Sequence, residues 1–98
     1  MRVTLRLAML FADVLGRDQI QLTLEQPEAT LEDILQALLD EQPALRERLE
    51  ASRLLEDGRI KAIFVRQDAL ITEKDTVQDG DTVRVMLPIS GGKMENFS

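Results

Sequence analysis

Apolar and polar positions alternate from the start of the chain: Val3, Leu5, Leu7 and Met9 against Arg2, Thr4, Arg6 and Ala8. A period of two is that of a strand with one buried face. A second alternating run follows Gly16-Arg17-Asp18, with Ile20, Leu22 and Leu24 set against Gln21, Thr23 and Glu25. Two such runs joined by a short loop predict an antiparallel hairpin.

The period then changes. Leu31, Ile34, Leu35, Leu38 and Leu39 recur at helical spacing, with Glu32, Asp33, Gln36, Asp40 and Glu41 on the other side. This is the apolar stripe of a helix lying on a sheet, over about 30–42. Thr30 with Asp33 three residues on has the form of a capping box. Pro43 ends that helix and suits the first turn of a shorter one, about 44–55, carrying Leu45 and Leu49.

Asp57-Gly58 reads as a turn. Ile60 to Val65 reads as one strand buried on both faces, and Leu70-Ile71 as a short edge strand. Asp79-Gly80-Asp81 is a further turn. From Thr82 the alternation returns, with Val83, Val85 and Leu87 on one side and Arg84 and Met86 on the other. The order β-β-α-(α)-β-β predicts an α+β fold, a mixed sheet of four to five strands wrapped around one main helix.

Composition narrows the chemistry. A chain of 98 residues closes one core, and with 3% aromatics and neither Trp nor Tyr that core is aliphatic. There is no His and no Cys, which excludes Ser-His and Cys-His nucleophile pairs, His/Cys zinc sites and disulfides. The net charge of −6 argues against nucleic acid as a partner and suits a basic docking surface, although solubility alone also accounts for it. No run approaches a membrane span of roughly 20 apolar residues, and the alternating N-terminus is unlike a signal peptide, so a cytoplasmic protein is expected.

The candidate sites reduce to one. Asp79-Gly80-Asp81 lacks the further acidic positions of a calcium loop and is better read as a turn, and no metal site is expected. Glu47, Glu50, Glu56 and Asp57 read as a solvated face, and Arg59, Lys61 and Arg66 are too sparse for single-stranded nucleic acid. Ser90-Gly91-Gly92 is different. It follows a strand directly, through the apolar, Pro-stiffened stretch Met86-Leu87-Pro88-Ile89. Two glycines pass through a narrow channel because they lack a Cβ. From Pro88 to Gly92 the extended reach is on the order of 14 Å, enough to thread a cleft while the folded body stays outside.

Asp79 to Gly92 resembles the closing signature of the MoaD/ThiS-type sulfur carriers, with their ubiquitin-like β-grasp fold. Leu10-Phe11-Ala12 with Gly16, and Thr30 to Leu35, are similar to the family's segments after the first strand and at the helix opening. The resemblance covers Val3 to Gly92 and implies a carrier rather than an enzyme. An E1-like adenylyltransferase would use ATP to activate the Gly92 carboxylate, and persulfide sulfur would turn it into a thiocarboxylate for a sulfur-accepting synthase subunit. No cofactor would be bound by the chain itself. Gly91 and Ser90 would form the thread, and Phe11, Leu87, Pro88 and Ile89 would join the partner-docking surface. The second helix makes the chain look closer to the small subunit of molybdopterin synthase than to thiamine-type carriers.

The departure is Lys93 to Ser98, since carriers that act directly end at Gly-Gly. With an amide at Gly92, adenylation is blocked. Trimming between Gly92 and Lys93 by a JAMM-type metalloprotease, an expression scar, and loss of carriage are the competing accounts. Trimming is the expectation, giving a carrier domain over 1–92 and a removable extension over 93–98. The rivals are a carrier for another pathway, a ubiquitin-like modifier, or a non-carrying β-grasp interaction module.

Overall fold

A computed structural model describes residues 1–87. Strand β1 (Arg2–Leu7) pairs antiparallel with β2 (Gln19–Thr23), Val3 opposite Leu22 and Leu5 opposite Ile20. That register puts all four apolar side chains on one face, as the alternation predicts. The connection is more than a loop, because Leu10–Leu15 forms the short helix α1. Met9 therefore does not continue the strand: it takes φ 52° and stands 66% exposed. The helix closes on Gly16, at φ 71°, whose N–H donates to the Ala12 carbonyl.

Helix α2 (Leu31–Glu41) buries Leu31, Ile34, Leu35, Leu38 and Leu39. Its capping box is real: the Asp33 N–H donates to Thr30 Oγ1 at 3.3 Å, and the Thr30 N–H donates to Asp33 Oδ2 at 3.2 Å. Just before it, β3 (Glu28–Thr30) pairs with β8 (Thr76–Gln78), a three-residue ladder too short to register as a pattern.

Helix α3 (Pro43–Ala51) stops earlier than its sequence predicts. Arg53, at φ 59°, occupies the left-handed position that usually calls for glycine. The Arg53 N–H donates to the Glu50 carbonyl and the Leu54 N–H to that of Leu49, the paired bonds of a Schellman ending. The chain can then form β4 (Leu55–Glu56), which turns back through Asp57-Gly58 to β5 (Arg59–Ile60). Both turn residues have positive φ, 55° and 77°, as a two-residue hairpin loop needs.

The expected strand over Ile60 to Val65 is thus two elements. Ile60 belongs to the small hairpin, and only β6 (Ile63–Arg66) joins the main sheet. A second two-residue hairpin, through Gln67 and Asp68 at φ 52° and 65°, leads to the edge strand β7 (Ala69–Ile71). The last strand, β9 (Thr82–Met86), runs parallel to β1 and antiparallel to β6. The sheet order is β2-β1-β9-β6-β7, a mixed five-stranded sheet with the first and last strands in the middle. Its inner face and α2 enclose a largely aliphatic core, with Phe11 and Phe64 as its aromatics among the described residues, in which Val3, Leu5, Leu31, Ile34, Leu38, Val77 and Val83 are fully buried. This is the β-grasp arrangement. Among the described residues no polar or charged side chain is buried, so the core rests on apolar burial and close packing.

Candidate functional site at the end of the last strand

β9 is held on both sides, which fixes the point from which the chain leaves the sheet. Leu5 lies beside Val83 and Leu7 beside Val85 on one flank, and Phe64 faces Val85 on the other. Val83 and Val85 are buried, and Leu87, the last described residue, is half-buried against the core.

The turn entering β9 is built as tightly. Gly80, at φ 87°, donates its N–H to the Arg2 carbonyl at 2.8 Å, while Asp79 Oδ1 accepts from the Arg2 N–H at 2.7 Å. Asp81 Oδ2 accepts from the Gln78 N–H at 3.0 Å and from Arg66 Nη1 at 3.3 Å. The same Arg66 nitrogen donates to the Thr76 carbonyl at 2.7 Å, tying β6, β8 and β9 together. Both carboxylates are thus occupied by backbone and guanidinium donors, in keeping with the turn reading.

One expected docking residue is corrected. Phe11 has no exposed surface and belongs to the core cluster, alongside Leu45 and Leu49 of the neighbouring α3. A side chain with no exposed surface cannot be gripped by a partner, so Phe11 anchors α1 instead. The signal was in the sequence: a lone large aromatic beside Leu10, Val14 and Leu15 is core material for a chain so poor in aromatics. Leu87 keeps partial exposure at the strand's end. Pro88, Ile89, Ser90, Gly91, Gly92 and Lys93 lie outside the described residues.

Away from β9, Glu73 lines a concavity of about 280 Å³ with Glu32, Arg59, Thr72 and Lys74. Desolvation pushes its carboxyl above the ordinary glutamate value of 4.5, Arg59 pulls it back, and Glu32 adds to the rise. No motif in the sequence marks this cluster, which topology assembles from separate segments. Among the described residues, no helix is long and apolar enough to cross a membrane.

Comparison with known proteins adds the decisive observation: the profile of the ThiS family matches residues 10–92. The chain belongs to the ThiS family. The match takes in the whole body from α1 onward and closes at Gly92. No curated protein matches the chain. Among solved structures it is similar to the small archaeal modifier protein SAMP1 of Haloferax volcanii, with a TM-score of 0.74 and 26% identity over 94% of this chain and 100% of that one. It shares its fold with a putative molybdopterin converting factor subunit 1 from Pyrococcus furiosus, with a TM-score of 0.68, 16% identity and coverage of 91% and 99%. It also shares it with a chain of the complex of molybdopterin-converting factor subunits 1 and 2 from Helicobacter pylori, with a TM-score of 0.55, 22% identity and coverage of 94% and 100%. The ThiS-family chain is therefore a MoaD/ThiS-type, ubiquitin-like β-grasp protein.

Proposed function

We propose that this ThiS-family protein is a sulfur carrier acting through the carboxylate of Gly92. The supporting observation is the placement of β9: a central strand, laddered on both flanks, delivers the chain at Leu87 to the stretch that ends in Gly91-Gly92. A rigid body with a glycine-ended peptide leaving its middle suits an enzyme that must draw in a carboxylate without unfolding its bearer.

In this sequence Gly92 is followed by Lys93, so its carbonyl is an amide. Hydrolysis of the Gly92–Lys93 bond, the task of a JAMM-type metalloprotease, frees the carboxylate and releases 93–98. An E1-like adenylyltransferase joins that carboxylate to the AMP portion of ATP and releases pyrophosphate. A persulfide sulfur attacks the carbonyl carbon and expels AMP, and a second thiol reduces the resulting acyl disulfide, leaving a thiocarboxylate. The thiocarboxylate donates sulfide to an acceptor subunit, and the pathway favoured is molybdopterin synthesis. The chain lacks cysteine, in keeping with sulfur carried on a main-chain carbonyl.

The intact mass of the protein from its own host tests this reading. The expected species spans Met1 to Gly92, a fraction of it with sulfur replacing one carboxylate oxygen. Only uncleaved chain in cells whose pathway is running would refute it. The likeness to an archaeal modifier protein supports a second reading, in which the same activated Gly92 forms an isopeptide bond to target lysines. Higher-mass adducts of the trimmed chain would be its mark.

A further inference from the structure

Arg6 on β1 and Arg84 on β9 are register partners in the parallel ladder at the middle of the sheet, and both are exposed. Their chain neighbours Leu5, Leu7, Val83 and Val85 are buried in the core, so both arginines stand on the opposite face. Adjacent strands lie about 4.8 Å apart, and like charges facing each other across them are destabilising. Among the described residues neither guanidinium has a carboxylate within 4.0 Å, although Arg46, Lys61 and Arg66 each have one. In a chain of net charge −6, carboxylates are plentiful, and this local pair of cations calls for a reason.

The pair borders a concavity of about 370 Å³. Thr82 lines it from the start of β9, and Val65 from β6, where it is the register partner of Arg84. The hairpin turn after β6 adds Gln67 and Asp68, and the turn before β9 adds Gly80 and Asp81. Arg66 also lines the hollow, but its Nη1 is committed to the Thr76 carbonyl and to Asp81 Oδ2. With Arg66 and Asp81 offsetting each other, two cations remain against one carboxylate, Asp68, which pairs with neither. Asp18 lines an adjoining hollow that also touches both arginines, and it too forms no ion pair with them. Carboxylates are therefore at hand, and the arginines do not take them.

We infer that this hollow binds a phosphate group between Arg6 and Arg84, with Gln67 and Thr82 as further donors. Two guanidiniums side by side call for one ligand that carries more than a single charge and several acceptor oxygens. A carboxylate has one charge and two oxygens. A phosphate dianion accepts from both planar forks at once and keeps oxygens for the amide of Gln67 and the hydroxyl of Thr82. Its charge relieves the repulsion across the two central strands, so binding also stabilises the fold. Inorganic phosphate and the phosphate of a nucleotide present the same group. The hollow lies where β9 begins and the chain leaves at the other end of that strand, so its occupancy does not involve Gly92.

The test titrates inorganic phosphate into the full-length chain at constant ionic strength and follows the backbone amide resonances. Saturable shifts centred on Arg6, Thr82 and Arg84 are expected, with none when chloride replaces phosphate. The double variant Arg6→Gln/Arg84→Gln should bind about tenfold or more weakly. It loses a like-charge pair, so without phosphate it should be at least as stable as the parent, and the lost binding is read on a folded protein. Asp68→Asn, which removes the opposing charge, should bind more tightly. AMP binding with the affinity of inorganic phosphate would assign the site to the phosphate group alone, and tighter binding of AMP to a nucleotide. The absence of saturation with either ligand overturns the inference, as does unchanged affinity in the double variant. Weaker binding by Asp68→Asn would place the ligand elsewhere and overturn it too. Acetate held as tightly as phosphate would make the pair a receptor for carboxylates, such as those of a protein partner, and would also overturn it.

Discussion

Asp79 Oδ1 accepts a 2.7 Å hydrogen bond from the backbone N–H of Arg2, across 77 residues of sequence. With the Gly80 N–H donating to the Arg2 carbonyl, the turn before β9 grips both polar groups of one residue at the start of β1. This clamp sets the parallel register that places Thr4 beside Thr82 and Leu7 beside Val85. Asp79→Ala is expected to cost about 1–2 kcal/mol, the usual range for a charge-assisted bond lost at a partly solvated site. Urea unfolding should show a lower midpoint with an unchanged slope, and Asp79→Asn should recover part of the loss.

Phe11 gives the next expectation. Its side chain is wholly buried in a core whose other aromatic, among the described residues, is Phe64, on a helix of six residues that has little stability of its own. Phe11→Ala should cost about 3–5 kcal/mol, as large-to-small changes in a packed core do. Thermal unfolding would register it directly. A variant of wild-type stability that had lost only partner binding would restore Phe11 to the docking surface.

What the sequence displayed and what it hid divide along physical lines. Strands β1, β2 and β9 and helix α2 were legible because each buries one face, so period 2 and period 3.6 are written into Val3-Leu5-Leu7 and Leu31-Ile34-Leu35-Leu38. The run Ile60 to Val65 carries no such period and hid its division between β5 and β6. The Thr30-Asp33 box was legible because capping chemistry is local. The three-residue ladder Glu28–Thr30 with Thr76–Gln78 was hidden, because its partners are distant and too short to carry a period. So was the end of α3, where Arg53 accepts a left-handed conformation with no glycine to announce it. Met9 misled because alternation cannot show where a strand stops. At the site, Gly91-Gly92 was legible as a motif, while the parallel pairing of β1 with β9 that fixes where the chain leaves the sheet was not, because parallel partners lie far apart in sequence.

Glu73 predicts a pH effect whose sign follows from its environment. Burial raises the folded-state pKa above the unfolded value of about 4.5, Arg59 opposes the rise and Glu32 reinforces it. The native state therefore binds the proton more tightly than the unfolded chain. That contribution to stability is fully present below the unfolded pKa and is lost as pH rises through the folded pKa. At neutral pH the ionised carboxylate is a small liability, so Glu73→Gln should stabilise the protein there. The advantage should shrink on acidification and vanish below about pH 4. Denaturant midpoints of the two proteins across that range check the sign, and a gain that grew with acid would show the shift to run the other way.

Gly91 separates folding from function most sharply. It follows β9 in the sequence, outside the described residues, and its proposed role is to pass through the activating enzyme's channel. Gly91→Val in a chain ending at Gly92 would add a β-branched side chain to a passage suited to bare backbone and restrict its φ/ψ. The melting temperature should match that of the parent chain. ATP–pyrophosphate exchange should fall by about a hundredfold or more, the penalty expected when a reacting carboxylate is held out of position. Docking of the folded body should survive, so the variant should compete with wild-type chain for the adenylyltransferase. Exchange at the parent rate would mean that the enzyme reads only the body and the terminal carboxylate, and the glycine pair would lose its assigned part as the thread.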